Sequence, residues 1–180
     1  MYSKLSRNIF LPFSDIIFGN KTSEYTSFLD KSQWWSTDEL EEYQNKKLRK
    51  LIKHAYKNVP YYNRIFHERD LHPNDITSIH DLVKLPILTK EIIRNNGSDM
   101  LARNYKSFGP ILNSTSGSTG SPLNYYITKA NLSYHWASAY RGWGWGGYNL
   151  FDKMIFTGSS SLHRKKISAF RKVRSFFERI

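Results

Sequence analysis

The sequence predicts an α/β fold in which a helical amino-terminal region precedes part of a sheet. Three observations carry this. Helix-period stretches separated by proline stops fill residues 34–107; after Gly109-Pro110 the texture changes to short apolar runs around a Gly/Ser/Thr loop; helical spacing then returns beyond Thr128. A chain of 180 residues has the length of one ordinary domain. We divide it into an irregular lead-in (1–33), a helical region (34–107) and a partial α/β subdomain (108–180), all within one domain.

Residues 1–33 show no clean period, because Pro12 and Gly19 interrupt short apolar patches, and are expected to be irregular or short helix. From Ser36 the signal sharpens. Ser36-Thr37-Asp38-Glu39 is a capping box, and Leu40, Tyr43, Leu48, Leu51, Ile52, Ala55 and Tyr56 follow helical spacing, predicting a helix over 37–57. Its acids stand in the first turns and its lysines and arginine in the later ones, the order that complements the helix dipole. Asn58-Val59-Pro60 stops it, since a residue before proline is pushed out of the α region, and Pro60 can open a second helix over 61–69. Pro73, Asn74-Asp75 and Ser78-Ile79-His80-Asp81 introduce a short helix ending before Pro86; Thr89 caps another through Asn95, with Gly97 as a left-handed residue just past its end.

Ile111-Leu112 and Leu123-Asn124-Tyr125-Tyr126-Ile127-Thr128 read as strands, and Thr128 caps a helix carrying Leu132, Trp136, Ala139 and Tyr140. Arg141-Gly142-Trp143-Gly144-Trp145-Gly146-Gly147 is expected to be a loop, because each glycine costs about 1 kcal/mol in a helix relative to alanine. Met154-Ile155-Phe156-Thr157 reads as a buried strand, and residues 165–179 as a basic helix with Ile167, Phe170, Val173, Phe177 and Ile180 along one face.

The strand-like runs enclose Thr115-Ser116-Gly117-Ser118-Thr119-Gly120-Ser121-Pro122. Gly117 and Gly120 let the backbone turn where a Cβ would clash, so that successive N–H groups converge on an anion, while Ser116, Ser118 and Thr119 add hydroxyl donors. No Gly-Lys-Ser/Thr follows the second glycine, which excludes a Walker A loop. A Gly/Ser linker or polar turn has similar composition, but a loop held at both ends by strands is not a linker.

The absence of cysteine excludes disulfides, thiolate zinc sites and a cysteine nucleophile, and fits a reducing compartment, so a cytoplasmic location is expected. No cleavable leader is read at the amino terminus, and no apolar run approaches the ~20 residues that span a bilayer. The net charge of +12 concentrates toward 163–180, where seven Lys/Arg face the single carboxylate of Glu178. Such a surplus suits nucleic acid, an anionic membrane surface or phosphorylated substrates alike. No RNP-like or zinc-finger pattern supports nucleic acid, and the six histidines lack metal-binding spacing. Tyr61-Tyr62, Tyr125-Tyr126, Trp136, Trp143 and Trp145 read as core aromatics in preference to base-stacking ones. Arg141 is a candidate anion contact, with a surface ion pair as the alternative.

The loop resembles the Thr/Ser-Ser-Gly-Ser/Thr-Thr-Gly-x-Pro signature of the adenylate-forming superfamily. Three further stretches extend that resemblance. They are Trp35-Ser36-Thr37-Asp38-Glu39-Leu40-Glu41-Glu42-Tyr43-Gln44, His54-Ala55-Tyr56-Lys57-Asn58-Val59-Pro60-Tyr61-Tyr62 and Asp81-Leu82-Val83-Lys84-Leu85-Pro86-Ile87-Leu88-Thr89-Lys90. In order and spacing they resemble the amino-terminal part of the phenylacetate–CoA ligase and capsular polysaccharide CapK branch, over residues 34–158.

The resemblance implies part of the mixed sheet of an adenylate-forming large domain. It implies ATP phosphate binding by Thr115, Ser116, Gly117, Ser118, Thr119, Gly120 and Ser121, and a small-molecule carboxylate activated as an acyl-adenylate. Magnesium and CoA are used by the intact family. The family's later metal glutamate, ribose aspartate and carboxy-terminal lysine have no counterpart, and beyond the loop the acids are Asp152 and Glu178. The expectation is therefore an amino-terminal ligase fragment without catalytic or metal-ligating residues of its own. The alternative is a non-catalytic nucleotide- or anion-binding module whose basic tail, residues 165–180, meets a partner or an anionic membrane unless its apolar stripe packs on the sheet.

Overall fold

A computed structural model describes residues 5–115, 122–150 and 152–153. In chain order, a π-helical turn Ser6–Phe10 leads into α1 (Leu11–Phe18), α2 (Thr22–Ser32), α3 (Thr37–Asn58) and α4 (Pro60–Glu68). Short 3-10 turns at Pro73–Asp75 and Ile79–Lys84 precede α5 (Lys90–Asn95), and two more at Gly97–Met100 and Tyr105–Phe108 follow it. Strands β1 (Ile111–Ser114) and β2 (Asn124–Ile127) and helix α6 (Lys129–Trp145) complete the order. The described chain is thus mostly helical with a small two-stranded antiparallel sheet, compatible with an α/β class. The expected strand at 154–157 and helix at 165–179 lie outside the described residues. Packing divides the chain into two compact units, residues 32–129 and residues 1–31 with 130–180.

In the first of these units, α3 starts where the capping box places it. Ser36 Oγ accepts the Glu39 N–H at 3.3 Å and Glu39 Oε2 accepts the Ser36 N–H at 2.7 Å; that backbone bond lowers the Glu39 pKa. Val59 is extended (φ −106°, ψ 110°) and serves both as the C-cap of α3 and the N-cap of α4, with Pro60 opening the new helix. The elbow brings Ile52 of α3 against Phe66 of α4 and Ile76, with Leu48, Tyr56, Leu71 and Leu85 around them. A second cluster joins Ala55, Val59 and Tyr61 to Ile65, Ile92, Met100 and Ala102. The C-terminal carbonyls of α3 find partners across the chain: Asn58 O accepts the Arg103 N–H at 2.7 Å and Lys57 O accepts Arg103 Nη1 at 3.0 Å.

Beyond this core, the Ile79–Lys84 turn is tied down by one carboxylate. Asp81 Oδ2 accepts the N–H and hydroxyl groups of both Thr77 and Ser78, and Oδ1 accepts Lys84 Nζ at 2.8 Å. The Lys84 bond, then the Thr77 and Ser78 N–H bonds, hold the Asp81 carboxyl well below the ordinary carboxylate range. A depressed folded-state pKa contributes stability that is complete above the unfolded value and is lost as pH falls through the folded one. Asp81→Ala should therefore lower the thermal midpoint at neutral pH, and parent and variant should converge as the solution is acidified through and below pH 3.8, the ordinary value. A gap unchanged across that acid range would show that the carboxylate's charge is not what holds the turn.

Two local expectations change. Gly97 begins a 3-10 turn and does not have a positive φ; the left-handed glycine in this stretch is Gly109 (φ +58°), which ends the Tyr105–Phe108 turn. The expected loop at 141–147 is helical as far as Trp145. The glycine cost is offset by side chains one turn apart: Trp136, Tyr140 and Trp143 make successive ring contacts at 6.0 and 5.8 Å, and the Arg141 guanidinium lies 5.4 Å over the Trp145 ring. The left-handed Gly147 (φ +91°) lies just past the helix end.

In the second unit, residues 6–32 are mostly helical where an irregular or short-helix lead-in was expected. Gly19 (φ +63°) caps α1, donating its N–H to Asp15 O. The buried Asp15 carboxylate then reaches the start of α2, accepting the N–H and hydroxyl of Ser23, each at 2.6 Å. Helix α6 approaches with a small-residue face: Ser133 and Ala137, one turn apart, are buried, and Ser133 Oγ accepts the Lys21 N–H at 3.1 Å. Tyr25 and Tyr134 pack edge to face at 5.3 Å, and Arg7 pairs with Asp30.

Candidate functional site

The hairpin that frames the Gly/Ser/Thr loop pairs Ile111 with Ile127, Leu112 with Tyr126, Asn113 with Tyr125 and Ser114 with Asn124. Two further bonds close the mouth of the loop. The Thr115 N–H donates to Leu123 O at 3.0 Å, and the Leu123 N–H donates to Thr115 Oγ1 at 3.0 Å. Thr115 is half-buried, and its hydroxyl oxygen is held as the acceptor of the Leu123 N–H. Asn113 Oδ1 takes the Ser114 N–H at 2.9 Å, and Tyr105 leans on Tyr126 at 5.8 Å. Of the seven candidate phosphate-binding residues, Thr115 is thus placed at the mouth of the loop, just past β1. Ser116, Gly117, Ser118, Thr119, Gly120 and Ser121 lie outside the described residues.

Arg141, the other candidate anion contact, projects from α6 onto Trp145, and its Nε is buried with no hydrogen-bond partner among the described residues. Asp152 is committed locally, accepting the Asn149 N–H at 2.8 Å. Among the described residues no group of three or more His, Cys, Asp and Glu is disposed to hold a metal ion. His54 packs edge-on against Phe108, His67 and His72 tilt against Tyr56, and His135 lies against Trp136. Tyr61 and Tyr62 stack edge to face, with Tyr61 in the second core cluster; burial, and secondarily Tyr61, pushes the Tyr62 pKa up. No described helix is long and apolar enough to cross a membrane.

Sequence reasoning did not single out a cleft of about 240 Å³ beside α1 and α2, lined among others by Arg7, Asn8, Ser23, Thr26 and Ser27. Its chemistry is largely spent within the protein. Arg7 pairs with Asp30, Ser23 donates to Asp15, and the Thr26 hydroxyl donates to Thr22 O. No signal for it exists in the sequence, since its lining is ordinary helix-surface polar residues.

No protein-family profile matches the chain. Curated relatives do. The chain is 36% identical over 111 residues to phenylacetate–coenzyme A ligase of Escherichia coli, 61% of this chain and 25% of that protein. It is 34% identical over 112 residues to the phenylacetate–coenzyme A ligase of Pseudomonas putida, 62% of this chain and 25% of the relative. The Aromatoleum evansii protein of the same name is 34% identical over 87 residues, 48% of this chain and 20% of the relative. The similarity is therefore to phenylacetate–coenzyme A ligases, and the chain matches about a quarter of the length of the first two.

Proposed function

We propose that this chain carries the amino-terminal, phosphate-binding part of an ATP-dependent adenylate-forming ligase of the phenylacetate–CoA ligase and CapK-like type. The observation that carries the reading is the 36% identity over 111 residues to the Escherichia coli ligase. The hairpin supports it, because cross-bonds at Thr115 and Leu123 fix the loop's two ends close together, the arrangement a nest of converging N–H groups requires.

In the whole enzyme a carboxylate attacks the α-phosphorus of ATP, pyrophosphate leaves, and the acyl-adenylate passes its acyl group to the thiol of CoA, releasing AMP. Thr115, Ser116, Gly117, Ser118, Thr119, Gly120 and Ser121 would donate hydrogen bonds to the phosphates and to the charge that develops on leaving pyrophosphate. Their donor chemistry fits a polyphosphate. It does not fit magnesium, which takes carboxylate oxygens, while the Asp152 carboxylate is engaged at Asn149. The protein would act in the cytoplasm on small molecules.

Isothermal titration with ATP and AMP tests the loop. ATP should bind more tightly than AMP, and Gly117→Val should weaken ATP at least about tenfold, the loss of one good hydrogen bond to charge. Wild-type ATP binding that is absent, or unchanged in the variant, sinks the reading. Phenylacetate-dependent pyrophosphate exchange by the 180-residue polypeptide alone should be undetectable. Robust exchange would overturn its incompleteness while keeping the chemistry. The charge of +12 favours a second reading, a non-catalytic anion-binding module whose residues 165–180 contact an anionic membrane or a partner. ATP binding with no restored ligase activity in any assembly would favour it.

A further inference from the structure

The C-terminal half of α3 and the segment that leads to β1 meet in a basic patch. Lys50, Lys53 and Lys57 recur at helical spacing over about 10 Å, on the side of α3 away from buried Ile52 and Ala55, and all three are exposed. Arg103 lies against the end of the helix, donating its N–H to Asn58 O and Nη1 to Lys57 O, and Lys106 follows in the Tyr105–Phe108 turn. Both are exposed as well. No Asp or Glu occurs in residues 50–58 or 100–110, and Asp99, just before the second stretch, pairs with Arg64. Among the described residues none of these five cations forms an ion pair.

An aromatic pair stands in the same place. Phe108 meets His54 edge to face at 5.7 Å and remains 51% exposed. The His54 ring is held by the Asn58 amide, which donates to Nδ1 at 3.3 Å, and the left-handed Gly109 ends the turn that presents Phe108. His54 stands one helical turn from both Lys50 and Lys57. Cations from two elements thus flank a ring pair that is already in position. Neither feature alone names a ligand, because solvated lysines and single exposed apolar side chains are ordinary on protein surfaces. Their coincidence does: it matches a base that stacks and phosphates attached at more than one place on its sugar.

We propose that this patch binds the nucleotide end of coenzyme A, with the adenine against Phe108 and His54 and the phosphates among Lys50, Lys53, Lys57, Arg103 and Lys106. The proposal rests on the ligase reading above, in which ATP occupies the Gly/Ser/Thr loop and the thiol arrives on a second phosphorylated carrier. Coenzyme A carries a 3′-phosphate and a 5′-diphosphate on one ribose, which suits cations divided between two elements. Arg103 spends one guanidinium donor on Lys57 O and keeps the others for phosphate.

Isothermal titration of the 180-residue chain with coenzyme A, dephospho-coenzyme A and ATP tests it. Coenzyme A should bind at least about tenfold more tightly than the dephospho form, which lacks the 3′-phosphate. Lys57→Ala with Lys106→Ala should weaken coenzyme A at least about tenfold, and Phe108→Leu, which keeps apolar bulk but not the ring, at least about threefold. ATP affinity should stay within about twofold of wild type in both, with helical circular dichroism unchanged. Lys46→Ala with Lys47→Ala removes the same charge from α3 outside the patch and should leave coenzyme A binding within about twofold. No coenzyme A binding by wild type, equal affinity for the dephospho form, insensitivity to the patch variants, a parallel loss of ATP, or an equal loss in the Lys46 and Lys47 control overturns the proposal. The two readings fail separately. ATP binding without coenzyme A binding removes this patch alone, whereas coenzyme A binding without ATP binding keeps the patch and removes the phosphate loop.

Discussion

Phe66→Ala should destabilise residues 32–129 by about 3–5 kcal/mol, the usual range for deleting a fully buried aromatic side chain. Phe66 has no exposed surface, and its ring meets Tyr56 edge to face at 5.4 Å while packing in the cluster that holds Ile52 and Ile76. Three elements converge on it: α3, α4 and the Leu71–Ile76 segment. The cavity cannot collapse without shifting all of them, which places the cost toward the upper end. Since ordinary domains are stable by only about 5–15 kcal/mol, the variant should unfold at much lower urea, read by helical circular dichroism. Phe66→Leu, which keeps most of the volume, should cost far less. A shift below about 1 kcal/mol in Phe66→Ala would mean that the cluster is not the core of this unit.

In the other unit the largest effect is expected at Asp15. Its carboxylate is 6% exposed and satisfies both the N–H and the hydroxyl of Ser23, at the start of α2 where backbone donors have no partner within the helix. Asp15→Ala removes two charge-assisted bonds and leaves a donor without a partner, a loss of about 2–3 kcal/mol. Amide hydrogen exchange should accelerate through α2 while α3 and α4 keep their protection. Asp15→Asn retains one acceptor oxygen and should recover part of the loss. Uniform acceleration across the whole chain, or none in α2, would contradict the assignment.

The legibility of each element depended on where its determinants lie. Helix α3 was readable because Ser36, Glu39 and the Val59-Pro60 stop act within a few residues of the backbone they control. Helices α1 and α2 were not readable from hydrophobic period, because their buried faces mix polar with apolar residues. Ile16 and Ile17 are exposed, whereas Asp15, Thr22, Thr26 and Ser32 are buried beside Leu11 and Leu29. A period search assumes that the inside is apolar, and here polar side chains bonded to each other and to the backbone share it with Leu11 and Leu29. Helix α6 was cut short in the sequence reading because glycine propensity is local, while the ring contacts of Trp136, Tyr140 and Trp143 exist only once the helix has formed. The candidate site was legible as a loop between strands, and Thr115 and Leu123 close it as a hairpin. The basic patch around Phe108 was not, since α3 and residues 100–108 meet only in the fold.

The single-residue elbow at Val59 has a consequence in time. Every member of the cluster around Phe66 falls between Leu48 and Leu85, and helices joined with so little slack meet by closing very short loops. Contacts this local form fast, because little loop entropy is lost before they are made. On a ribosome adding about 5–20 residues per second, Leu85 is synthesised a second or more before Thr115. The helical core is therefore able to close before the strands that frame the loop have left the ribosome. The hairpin then emerges beside a platform that has already folded, and a chain stalled near Gly109 would release a helical body with no sheet to protect.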